Sequence, residues 1–158
     1  MSEAKRHFNG RSMVGVFGDP SDPMCRVEGR AVLLLRVARV AVALRGARDL
    51  HVVNSVLVGF DDAFAWDNSR ILGLDVVTLR GKGSLLLDTR GSPMLMAVDE
   101  ETPVHAALDA LLAWSDGVRP SPVETQSERP RLFKLFGRGY VLVQMPPDEG
   151  DAVGRSNP

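Results

Sequence analysis

The chain has 158 residues, of which 44% are hydrophobic and 25% charged, with a net charge of −1. That balance suits one globular domain with a core of its own and excludes a disordered chain. It gives no bulk attraction to nucleic acid or to an anionic membrane, and no apolar run approaches the ~20 residues a membrane helix needs.

The first residues, 1–11, read as a flexible terminus without the apolar centre of a signal peptide. A single β domain is expected over 12–145. It opens on a small apolar patch, Met13-Val-Gly-Val-Phe17, and a proline-containing turn at 19–23. Cys25 is the one cysteine, so no disulfide can form within the chain. A lone cysteine fits a reducing compartment, and the expected location is cytoplasmic.

Two strand-sized apolar runs follow at 31–35 and 40–44, joined across Arg36 and Arg39. In the second, Val40, Val42 and Leu44 alternate with Ala41 and Ala43, the period of a half-buried strand. Residues 50–53 and 56–60 continue as short strands around Asn54-Ser55. The stretch 61–69 is polar, with Phe64 and Trp66 as edge anchors.

Much of this recurs. Residues 27–66 and 79–118 align with Gly29 on Gly81, His51 on His105 and Leu57-Val-Gly-Phe60 on Leu111-Leu-Ala-Trp114. The offset is 52 at the glycines and 54 afterwards. The two extra residues fall in the turn at 88–93, where insertions cost least. A partial third copy, 135–143, repeats the opening of the other two. The repeat decides one local conflict. By composition 102–114 (TPVHAALDALLAW) is an amphipathic helix with Thr102 as cap and Pro103 at its first position. Its counterpart 50–60 is not helical, and two copies of one unit share one backbone. Residues 104–106 and 110–114 are therefore expected as strands around a single turn. Residues 116–131 read as a loop, 132–145 as closing strands around Gly137-Arg-Gly139, and 146–158 as a disordered tail.

Short strands at regular spacing with turns between them predict an all-β fold. The repeat makes it a sandwich or barrel of two stacked β-units plus closing strands, and the family resemblance described below implies the double-stranded β-helix-like form of it. The pairs Val42/Met96, Leu57/Leu111 and Phe60/Trp114 are expected in one core.

No residue set commits to catalysis, a cofactor or a metal. His51 and His105 occupy matching places, but a metal needs three or four ligands and no third histidine matches. Gly81-Lys-Gly83 and Gly137-Arg-Gly139 lack the full spacing of a phosphate loop and the helix that follows one. Asp61-Asp62 and Asp99-Glu-Glu101 read as solvated acidic turns, since carboxylates do acid–base work only where burial shifts them. Arg36, Arg39, Arg45 and Arg48 form a basic cluster without aromatics interleaved for base stacking, so no nucleic acid is expected.

Taken in order, 27–35 (VEGRAVLLL), 51–60 (HVVNSVLVGF), 79–91 (LRGKGSLLLDTRG), 110–119 (ALLAWSDGVR) and 132–144 (LFKLFGRGYVLVQ) resemble the altered-inheritance-of-mitochondria, or mitochondrial-biogenesis-like, family. The resemblance spans about residues 9–145 and lies in the order and spacing of the motifs. It implies a fold like that of the tryptophan RNA-binding attenuator protein and no enzymatic activity, with no catalytic residues to carry over. The chain departs from it in lacking a further β-unit at the start and in a shortened excursion at 67–73.

The expected function is a non-enzymatic structural or interaction module whose partner is a second copy or another protein. The alternative is a β-barrel that takes a small ligand or metal, with His51 and His105 at its mouth. A missing unit leaves a strand edge uncovered, and an uncovered edge is a template for another chain. Residues 1–50 carry a net +4 and residues 88–128 a net −6, so two copies can also complement each other's charge.

Overall fold

The computed structural model describes residues 2–8, 11–19, 22–27, 39–44, 49–123 and 132–145. Nearly all of them lie in antiparallel strands, so the fold is all-β; the one helical element is a single 3₁₀ turn at Asn54–Val56. Six short strands come first: β1 (Ser2–Glu3), β2 (Lys5–Phe8), β3 (Arg11–Val16), β4 (Gly18–Asp19), β5 (Asp22–Pro23) and β6 (Cys25–Arg26). Next come β7 (Arg39–Leu44), β8 (Leu50–Val53), β9 (Leu57–Phe60), β10 (Ala65–Ile71), β11 (Leu74–Arg80) and β12 (Gly83–Asp88). The last are β13 (Pro93–Val98), β14 (Val104–Ala107), β15 (Leu111–Ser115), β16 (Val118–Pro122), β17 (Leu132–Gly137) and β18 (Gly139–Gln144).

Strands β7–β12 and β13–β18 pair by the same scheme. In each set of six the first strand pairs the last, the last pairs the third, the fourth pairs the fifth and the fifth pairs the second. The register shift in β9 passes over Val58, and the one in β15 passes over Leu112, 54 positions later. One further pairing joins the sets. β8 lies antiparallel to β15, with Val52 opposite Ala113, His51 opposite Trp114 and Leu50 opposite Ser115. A six-stranded sheet results, in the order β10-β11-β8-β15-β18-β13, flanked by β7-β12-β9 and β14-β17-β16.

Burial follows this layering. The six-stranded sheet separates two hydrophobic clusters, and its strands send alternate side chains to each. On β8, Val52 joins one cluster and Val53 the other; on β11, Val77 and Val76 divide the same way. That is why four consecutive residues at the centre of β11, 76–79, are all buried, as on strands covered on both faces. β17 is covered on one face only, and Phe133 and Leu135 are buried while Lys134 and Phe136 are exposed, the alternation of a one-sided strand. One cluster holds Leu57, Phe64, Leu79, Leu85 and Leu87; the other holds Val98, Val104, Leu111, Trp114, Leu135 and Val141.

Several sequence expectations change. The symmetric pairs do not share one core: Leu57 and Phe60 belong with the first cluster, and Leu111, Trp114 and Met96 with the second. The side chain of Val42 lies outside the described set. Among the described residues the sheets stay open rather than closing into a barrel. The closing strands expected at 132–145 are β17 and β18, which occupy in their set the places of β11 and β12 in theirs. Residues 2–8, expected as a flexible terminus, form β1 and β2, held by pairing to residues 11–16 and 25–26 and by the Ala4 amide donating to the Met24 carbonyl at 2.8 Å. The polar stretch 61–69 contains most of β10, because Trp66 stacks on buried Phe17 (centroids 4.8 Å apart) and β11 supplies a partner along its whole length. The loop expected at 116–131 contains β16. An edge strand tolerates Pro120 and Pro122, which have no ladder donor to offer. Residues 104–107 and 111–115 are strands despite their helical composition. The expected tail, 146–158, and most of the basic cluster lie outside the described residues.

Candidate functional site

A polar cluster lies where the two sets meet. β8 carries His51 to a position opposite Trp114, and the two rings lie 5.5 Å apart at 32°. On the neighbouring strand β11, Thr78 is buried and its Oγ1 is 2.9 Å from His51 Nδ1. Asp116, just beyond β15, approaches His51 Nε2 at 3.7 Å, and its amide donates to the Asp49 carbonyl at 2.9 Å. With the proton on Nε2, on the side of Asp116, Nδ1 accepts from the Thr78 hydroxyl.

Nearby, the Arg80 guanidinium joins Asp49 (Nε to Oδ2, 2.9 Å) to Asp67 (Nη1 to Oδ2, 2.6 Å), tying β10, β11 and the start of β8 together. Charge-assisted bonds of this kind are the stronger ones, and the bond to Asp67 pushes the guanidinium further above its ordinary range. The sequence singled out His51, and Trp114 only as a core residue, but not Thr78, Asp116 or Arg80. Their approach comes from cross-strand register, and only the match of His51 to a residue opposite 63 positions later could have signalled it.

Burial holds the His51 ring below its ordinary value near 6.5, outweighing the upward pull of Asp116 and Asp49. An unfolded chain with an ordinary histidine therefore takes up a proton before the folded one does. This contribution to stability is present above about pH 6.5 and is lost as the pH falls toward the folded value. The melting temperature of wild type should drop on acidification through that window, and His51→Gln should drop less. Equal losses in thermal melts of the two proteins would show that the ring does not carry the effect.

His105 is exposed on β14, in a flanking sheet, so the structure does not bring it to His51. Among the described residues no group of three or more His, Cys, Asp or Glu is placed to hold a metal ion. The acidic turns have structural partners. Asp61 Oδ2 accepts from the Ser84 amide at 2.7 Å, and Asp62 pairs with Arg26 at 2.6 Å. Asp99 accepts from the Thr102 hydroxyl and amide and from the Glu101 amide, and the Thr102 hydroxyl in particular lowers its pKa. Gly81-Lys-Gly83 and Gly137-Arg-Gly139 are corners where the chain leaves one sheet for another, β11 to β12 and β17 to β18.

Two strand edges complete the site. β9 and β14 each end a flanking sheet, with no strand on the outer side among the described residues. Their counterparts, β15 and β8, are paired on both sides. Exposure differs accordingly. All five residues of β15 are buried, whereas β9 buries only Leu57; Val53 of β8 is buried, whereas the matching Ala107 of β14 is exposed.

No family model matches the chain, and no curated protein does. The fold is similar to the crystal structure of protein SPYM3_0169 from Streptococcus pyogenes, with a TM-score of 0.58 and 21% identity, over 73% of this chain and 57% of that one. The chain thus spans a little over half the length of that protein. Among the described residues no helix is long and apolar enough to cross a membrane.

Proposed function

We propose that this protein is a non-enzymatic structural or interaction module that works by self-association. One observation carries the reading: among the described residues β9 and β14 end their sheets, although the strands in the same places of the other set are paired on both sides. An unpaired edge exposes a row of amides and carbonyls that another chain can complete. The non-enzymatic part rests on the polar cluster. His51, Thr78, Arg80, Asp49 and Asp67 satisfy one another, which suits a fixed joint better than a group poised for substrate.

We read the two six-stranded sets as copies of one unit, on their shared pairing scheme and matching register shifts. We read the chain as a diverged member of the altered-inheritance-of-mitochondria family, on the serial order of its motifs. The charge asymmetry adds orientation: exposed ion pairs contribute only ~0–1 kcal/mol each, so the edge supplies affinity and the charges help to set register. The protein should sediment as a homo-oligomer at low salt, and its weight-average mass should fall as salt rises. A strict monomer of 17.2 kDa at low salt and high protein concentration would overturn the reading.

A further inference from the structure

We infer that the assembly is head to tail, with β14 of one copy docking on β9 of the next in the register by which β8 already docks on β15 within the chain. This rests on the self-association reading and specifies its surface. The internal junction serves as a template. Shifting each member of that pairing by 54 positions puts Ala106 opposite Gly59, His105 opposite Phe60 and Val104 opposite Asp61 of the neighbour.

The chemistry carries over with the register. At the internal junction an aromatic, Trp114, faces His51 and a carboxylate, Asp116, stands beside it. Between copies the aromatic facing His105 is Phe60, and the carboxylate beside it is Asp62, which is well exposed. Both docking positions also have room. Ala107 is exposed where Val53, its counterpart, is buried in the second cluster by the unit that follows. A Cβ added to Gly59 would meet nothing within 4 Å, whereas its counterpart Ala113 is buried against β8.

The other sheet ends do not qualify. β10 and β16 are terminal in both sets, as are β7 and β13, so no paired counterpart shows them a partner. β16 is further blunted by Pro120 and Pro122. The contact is heterologous, each copy offering one edge and accepting on the other, so copies add in one direction and close into a ring if the rotation between them allows.

Two substitutions separate the edges. Gly59→Arg blocks β9 and leaves β14 intact; Ala107→Arg blocks β14 and leaves β9 intact. Among the described residues nothing crowds Gly59 and Ala107 is exposed, so each variant should keep the wild-type far-ultraviolet spectrum and melting behaviour of a folded β protein. Sedimentation should show an assembled wild type and two monomeric variants, and an equimolar mixture of the variants should give a two-chain species and nothing larger. Leu95→Lys, at an exposed apolar residue of β13, should assemble as wild type does. If wild type assembles and the two edge variants assemble equally well, or if Leu95→Lys alone disperses it, the edge assignment is wrong while self-association stands. A monomeric wild type removes both. Should either edge variant fail to fold, amide exchange in wild type decides: residues 57–60 and 104–107 should be protected at high protein concentration and exchange faster on dilution, and concentration-independent exchange at both would overturn the pairing.

Discussion

Trp114→Ala should cost about 3–5 kcal/mol, the range for deleting a large aromatic from a packed interior. Trp114 is 1% exposed, sits in the second cluster and lies on the strand that pairs with both β8 and β18. Its loss would open a cavity beside the only described pairing between the two six-stranded sets, and would uncover one face of His51. The matching change, Phe60→Ala, should cost clearly less, because Phe60 is half-buried on a strand that ends its sheet among the described residues. Urea unfolding of the two variants measures the difference. Equal costs would mean that Phe60 is as fully packed as Trp114, and that β9 has a cover within the single chain.

Gly137→Ala should be the most damaging of the small substitutions, at about 3 kcal/mol, combining backbone strain with a steric clash. The residue has φ +112°, a conformation side chains rarely adopt, and its added Cβ would run into the backbone carbonyl of Gly117. That carbonyl accepts from the Arg138 amide at 2.9 Å, so it cannot retreat without breaking the corner between β17 and β18. Gly81 occupies the same corner in the first set, with φ +126°, but its Cβ would stand 3.2 Å from the Ala63 carbonyl. Gly81→Ala should therefore pay for the strain and little of the clash. Thermal melts should rank wild type above Gly81→Ala and Gly81→Ala above Gly137→Ala; the reverse order would show that the crowding at Gly117 relaxes freely.

The two polar findings, His51 and the open edges, were visible in the sequence to different degrees. His51 stands out because it matches His105, but its environment does not. Thr78, Trp114 and Asp116 lie 27 to 65 positions away and reach the ring only through the registers of β11 and β15. That some edge is uncovered is an expectation of the family resemblance alone. Which edge it is depends on which strands find partners, and β9 and β14 carry no local mark that tells them from β15 and β8.

By itself the sequence determined the all-β class, because short Val- and Leu-rich runs recur between glycine and proline turns and leave length for a helix at 102–114 alone. It also determined the strand–turn–strand form of 104–115, where likeness to 50–60 outweighed helical composition, since a stretch alike in its apolar spacing and central turn takes the same backbone. Only the tertiary structure decided that the hydrophobic residues divide between two clusters on either side of a shared sheet. Alternation along a strand tells which residues share a face, but not which layer each face meets. It likewise decided that polar 65–71 and proline-bearing 118–122 are strands, because an edge strand is held by its neighbour's backbone and by one stacked ring rather than by its own composition.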